Sequence, residues 1–107
     1  MEINQYSIVL VNLDKSVGSE IRKTRPCAVI SPHEMNRYLN TIVVAPVTTR
    51  SRIYPTRVRV RHDQKTGWIV VDQILTVDRK RVLKILGKLS NPEIHKLKGV
   101  IRETYVD

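Results

Sequence analysis

The chain has 107 residues, 41% of them hydrophobic, which suits one compact domain spanning 1–107 and leaves no room for a second. Its net charge is +9 and its pI about 10.1, an imbalance that repels itself unless a polyanion meets it. The single cysteine, Cys27, excludes a disulfide framework and a cysteine-built zinc site, and no apolar run approaches the ~18 residues of a membrane span.

Short apolar runs then organise the chain. Residues 6–13 contain Ile8-Val9-Leu10-Val11 and read as a first strand. Residues 14–24 are polar, with Gly18 and Ser19 near their middle, and read as a long loop of the kind that carries function in small domains. Residues 26–31 form a second strand, and its apolar run Cys27-Ala28-Val29-Ile30 makes Cys27 an inert core thiol. Residues 32–40 are polar and turn-like. Residues 41–47 are a third strand, in which Pro46 implies an edge or a bulge. Residues 50–55 connect, and Tyr54 within them is the aromatic best placed to be exposed.

Residues 56–61 alternate Arg57, Arg59 and Arg61 with Val58 and Val60, a half-buried strand with a cationic outer face. Residues 63–67 read as a turn, and Gly67-Trp68-Ile69-Val70-Val71 begins another strand, with Trp68 more suited to the core than to a stacking platform. Asp78 caps a short helical turn before Arg79-Lys80-Arg81, and residues 84–89 make a last strand. A helix then starts with Asn91 as N-cap, Pro92 at the first helical position and Glu93 at the positive end. Ile94, Leu97, Ile101 and Tyr105 form its apolar stripe. Roughly five to seven short strands with one terminal helix suggest a small, strongly bent sheet or barrel.

Charge is unevenly spread. Residues 50–88 hold eleven Lys and Arg against Asp63, Asp72 and Asp78, and so carry +8 of the +9. Residues 1–5 lack the charge and apolar core of a signal peptide, so a cytoplasmic protein is expected. His33, His62 and His95 show no metal-ligand spacing, and His62 ends the arginine strand.

The series Gly18-Ser19-Glu20, Arg25-Pro26, Ser31-Pro32, Asn36, Pro46-Val47-Thr48-Thr49, Tyr54-Pro55, Asp72-Gln73 and Asp78, in this order and spacing, resembles the MazF/PemK/Kid toxin family. The resemblance runs from about Gln5 to the final helix. It implies a mainly β fold with α, an SH3-like small β-barrel with a C-terminal helix (CcdB/MazF-like), assembled as a homodimer. It implies a sequence-selective endoribonuclease that cuts single-stranded RNA without metal or cofactor, leaving a 2′,3′-cyclic phosphate and a 5′-hydroxyl. It also implies a cognate antitoxin whose acidic segment lies across the RNA site, and no membrane partner.

Metal-free RNA cleavage uses the RNA's own 2′-hydroxyl. The protein must help remove its proton, protonate the leaving 5′-oxygen and stabilise charge on the phosphoryl group. Arg25 stands at the family's catalytic arginine, where a guanidinium grips the phosphate, although by spacing alone it is equally a surface charge beside a strand. Thr48 matches the catalytic threonine, and Thr49 competes with it because strand neighbours face opposite ways. Asp72 matches the general base of the Kid branch. The arginine and histidine partners of that base read Val70 and Ser19 here, so a structural ion pair stands beside the catalytic reading. Glu20 is another candidate acid, or only shapes its loop. Ser19, Thr49, Arg50, Arg52, Tyr54, Arg57, Arg59 and Arg61 are the expected RNA contacts, and the same cations suit an acidic antitoxin. No histidine is assigned as general acid from the sequence, and arginine is a poor proton donor, so that role stays open.

Two rivals accompany this reading. One is an SH3-like module that holds RNA or an acidic peptide without cutting. The other is a gyrase inhibitor of the CcdB type, which relies on a C-terminal tryptophan where this chain ends Thr104-Tyr105-Val106-Asp107.

Overall fold

The computed structural model describes residues 1–13, 23–50 and 53–107. Seven antiparallel strands share one sheet: β1 Ser7–Asn12, β2 Thr24–Val29, β3 Thr41–Thr48, β4 Arg57–His62, β5 Lys65–Val70, β6 Leu75–Asp78 and β7 Val82–Lys88. Two helices join them, α1 His33–Tyr38 and α2 Asn91–Ile101, and α2 runs on into a π-helical turn Arg102–Val106. The strand order is β4-β5-β3-β2-β1-β7, with β6 also paired to β3. The sheet is therefore an open, curled half-barrel whose ends are β4 and β7.

The bend is centred on β3. Along one edge its first half pairs with β6, over Thr41 to Val44, and its last residues Val47 and Thr48 pair with β5. Pro46 lies at this change of partner and is buried opposite Cys27. The expected edge strand is thus corrected: β3 is central, and its proline stands where the outer ladder is already interrupted.

Alternation along the strands loads both faces of the sheet with Val, Ile and Ala. One apolar cluster contains Ile8, Ala28, Ala45, Val58, Val60, Ile69 and Val71, covered by Leu97 and Val100 of α2. The other gathers Ile3, Val9, Val11, Cys27, Val29, Ile42, Val44, Val77 and Val82. Gly67 on β5 is required by close packing, since a Cβ there would come 2.9 Å from Val47 Cγ1.

Several local expectations change. Residues 32–40 contain the short α1, not only a turn, and its Asn36 is buried. Asn36 Nδ2 donates to the carbonyls of Ile3 (2.9 Å) and Ser31 (3.0 Å), and Ser31 Oγ donates to Asn36 Oδ1. The turn expected over 63–67 is only Asp63 and Gln64, both at positive φ (52° and 61°), the geometry of a tight two-residue hairpin. Gly67 suggested a longer turn, but it serves the packing on Val47.

Ser90, not Asn91, caps α2. Ser90 Oγ accepts the Glu93 N–H at 3.3 Å while Glu93 Oε1 accepts the Ser90 N–H at 2.8 Å. The other carboxylate oxygen accepts the Arg61 N–H at 2.8 Å and ties α2 to β4. Leu97 and Val100 are the buried positions of the helix, with Ile94 and Ile101 packed beside them. Tyr105 is 53% exposed, but its hydroxyl donates to the Val71 carbonyl at 2.6 Å. Asp78 caps the turn Arg79–Arg81 as expected, accepting the Lys80 N–H at 2.8 Å. Among the described residues no helix is long and apolar enough to cross a membrane.

Candidate functional site

The register between β2 and β3 pairs Cys27 with Pro46 and Val29 with Val44. Carried two residues further, it sets Arg25 opposite Thr48. Both share a face with Cys27 and Val44, but lie past the end of that apolar cluster, where the sheet opens to solvent. Thr48 in turn pairs with Trp68 of β5, and Trp68 with Arg59 of β4. Arg25, Thr48, Trp68 and Arg59 therefore form one row across four strands. The half-buried Trp68 belongs to this outer row and not to the core clusters.

Arg25 and Thr48 line two clefts, one on either side of them. The first, about 390 Å³, has an apolar floor of Pro46, Val70, Leu13 and Leu75, and a rim of Arg25, Arg50, Arg57 and Gln73. The second, about 520 Å³, is floored by Ile8, Val47, Val60 and Leu86, and is rimmed by Arg25, Thr49, Arg50, His62, Asp63, Lys65 and Thr66. Three arginines around one cleft, with a fourth cation in the other, make a basic groove suited to a flexible polyanion.

The guanidinium of Arg25 is exposed and has no hydrogen bond or ion pair among the described residues. The Thr48 hydroxyl is tied to the turn after β3: Oγ1 accepts the Arg50 N–H at 3.1 Å and donates to the Arg50 carbonyl at 3.2 Å. Arg50 lines both clefts together with Arg25. Arg57 forms an ion pair with Asp72 and lies over the ring of Tyr54, 5.3 Å from its centroid. Beneath the row, burial pushes the Cys27 thiol up to about 12, partly opposed by the charge of Arg25.

The structure thus brings Arg25, Thr48, Thr49, Arg50 and Arg57 together, with Asp72 and Tyr54 attached through Arg57. Arg59 and Arg61 are exposed along β4, outside both clefts. Ser19, Glu20 and Arg52 lie outside the described residues. Lys65 and Gln73 were not anticipated as site residues. The pairing of His62 with Lys65 across the tight hairpin carries Lys65 to the groove, and Gln73 follows Asp72 in a single turn of 3₁₀ helix. Neither position has a signal in local composition. Among the described residues no three His, Cys, Asp or Glu side chains gather as a metal-ion site.

The chain matches, over residues 4–105, the model of the family described as PemK-like, MazF-like toxin of type II toxin–antitoxin system. It is 28% identical over 95 residues to the endoribonuclease toxin MazF of Escherichia coli K12, covering 88% of this chain and 86% of that protein. Its fold is similar to that of MazF in the MazE–MazF crystal structure from Deinococcus radiodurans (TM-score 0.83, 24% identity, 96% and 95% of the two chains). It is similar also to a mycobacterial endoribonuclease solved with its cognate antitoxin (TM-score 0.80, 20% identity, 94% and 92%).

Proposed function

Because this chain belongs to the family of PemK-like, MazF-like toxins of type II toxin–antitoxin systems, we propose that it is an endoribonuclease that cuts single-stranded RNA at selected sequences without a metal, over the groove where Arg25 and Thr48 face each other. The observation that carries this reading is that Arg25, Thr48 and Arg50 together line both clefts of the groove.

The chemistry follows from the donors available. The 2′-hydroxyl of the RNA attacks the adjacent phosphorus, and negative charge grows on the non-bridging oxygens. The exposed guanidinium of Arg25 receives that charge through two parallel hydrogen bonds. The Thr48 hydroxyl donates to the Arg50 carbonyl and turns its proton to a phosphate oxygen when RNA arrives. Asp72 acts as a positioning residue, because its carboxylate holds the Arg57 guanidinium at the rim of the neighbouring cleft. Glu20 remains the other candidate acid. Arg50, Arg57 and the outlying Arg59 and Arg61 follow the phosphates of the flanking nucleotides, with Tyr54 and Thr49 beside them; Ser19 and Arg52, outside the described residues, complete the proposed contacts.

The same cations suit the acidic segment of an antitoxin, which silences the enzyme by occupying the groove. The mycobacterial endoribonuclease was solved with its cognate antitoxin, and the MazF of Deinococcus radiodurans with MazE. A homodimer completes the proposal, and its cytoplasmic setting is that of its RNA substrate.

The test is cleavage of a long mixed-sequence RNA in EDTA by the antitoxin-free protein and by Arg25→Ala and Thr48→Ala, with every new 5′ end mapped. Discrete cuts with 5′-hydroxyl ends are expected, reduced on the order of 10²-fold or more in each variant. A folded wild-type protein that binds this RNA and leaves it intact would instead be a non-catalytic module.

A further inference from the structure

Cleavage by this route needs a proton at the leaving 5′-oxygen, and the arginines of the groove are poor donors. Of the chain's three histidines, His33 faces Glu2, with Nε2 at 3.3 Å from its carboxylate, and His95 stands on the exposed side of α2. His62 alone lines the cleft shared with Arg25 and Thr48.

Its placement follows from alternation on β4. His62 continues the inward row of Val58 and Val60, but sits one step past the end of the apolar cluster, where the cleft begins. The ring bridges the two ends of the open sheet. A Cβ built on Gly87 of β7 would lie 3.3 Å from His62 Cε1 and 3.5 Å from Nδ1. Glycine at position 87 therefore leaves the space that the imidazole fills, with Nδ1 and Cε1, and not Nε2, as the ring atoms closest to it. His62 is half-buried and makes no hydrogen bond or ion pair among the described residues. Among the described residues, the charged groups lining its cleft are Arg25, Arg50, Lys65 and Asp63, while β1 and β7 present Ile8, Leu86 and Gly87.

We propose that His62 is the general acid of this enzyme, an inference that rests on the endoribonuclease reading above. The bond from the 2′-oxygen to phosphorus forms as the bond from phosphorus to the 5′-oxygen breaks. The imidazolium gives its Nε2 proton to the departing 5′-oxygen, and the 2′-hydroxyl proton passes to solvent water. The neutral imidazole then regains a proton from water, and Arg25 holds the phosphoryl charge throughout.

The experiment uses a short RNA with one mapped cleavage site and the same RNA carrying sulfur in place of the 5′-bridging oxygen. A thiolate leaves without a proton. His62→Gln and His62→Asn should lose about 10²-fold or more in kcat on the oxygen substrate and only a few-fold on the sulfur one. The alkaline limb of the wild-type pH profile on the oxygen substrate should vanish in both variants, and His95→Gln should behave as wild type. Equal losses on both substrates, or wild-type rates in either variant, would overturn the proposal and mark His62 as structural or idle. A wild type that cuts neither RNA overturns the endoribonuclease reading and this proposal with it, whereas wild-type cleavage with unimpaired His62 variants overturns the general acid alone.

Discussion

Arg25 and Cys27 share one face of β2, two residues apart, and meet opposite fates. Cys27 is under the sheet's second apolar cluster, and burial pushes its thiol up to about 12. Below pH 9 both folded and unfolded chains keep this proton. Between about pH 9 and about 12 only the unfolded chain loses it, so stability falls as pH rises through that window. Denaturation midpoints measured across it should drop less steeply for Cys27→Ala than for the native chain. The native thiol should also resist alkylation at pH 8 until the protein unfolds. Asn36 makes a second residue-scale case. It is buried with both its amide hydrogens and its oxygen engaged. Asn36→Ala leaves the Ile3 and Ser31 carbonyls without that donor and should cost about 2 kcal/mol in urea denaturation.

At the scale of elements, capping and turn chemistry are the adjustable features. The Ser90–Glu93 box closes the first turn of α2, and Glu93 also holds the Arg61 N–H of β4. Ser90→Ala should destabilise the protein by about 1 kcal/mol, measured as a shift of the denaturation midpoint at unchanged slope. The β4–β5 hairpin places Gln64 at φ 61°, a conformation that costs a residue with a Cβ roughly 1 kcal/mol. Gln64→Gly should therefore stabilise the fold, and a loss of stability in the same assay would refute this account of the turn. Because Gln64 lines neither cleft of the groove, RNA cleavage should be unchanged.

Taken whole, the molecule is a curled sheet whose ends meet at a side chain. β4 and β7 are the termini of the strand order, and His62 of β4 packs beside Gly87 of β7. The curl gathers Arg25, Arg50, Arg57 and Lys65 from four separate parts of the chain around one groove, and the field they share should dominate RNA affinity. With an RNA lacking the scissile 2′-hydroxyl, log affinity should fall linearly with log salt. Arg59→Gln, in the row that continues through Trp68, should lower that slope by about 0.7, the value of one single-strand phosphate contact. Arg37→Gln, in a separate cleft with Met1 and Arg79, should leave it unchanged.

Much that is local or periodic was legible in the residue order alone. The alternation of Arg57 to Arg61 predicted the faces of β4, Asp78 announced its cap, and the apolar run around Cys27 placed that thiol in the core. The ordered motifs from Gly18 to Asp78 pointed to the family, because residue types at set spacings survive without knowledge of contacts. Local signals misled where two features competed: Asn91 against Ser90 as cap, or Gly67 as a turn residue when close packing on Val47 required it. Only the tertiary structure decided which distant residues meet. It set Arg25 opposite Thr48, gave Arg57 to Asp72, buried Asn36 through contacts with Ile3, and brought His62 across the sheet to Gly87. The physical reason is that a strand's pattern states which side a residue faces, whereas the partner it faces is chosen by register and by the bend at β3. Both are set by packing energies summed over the whole sheet.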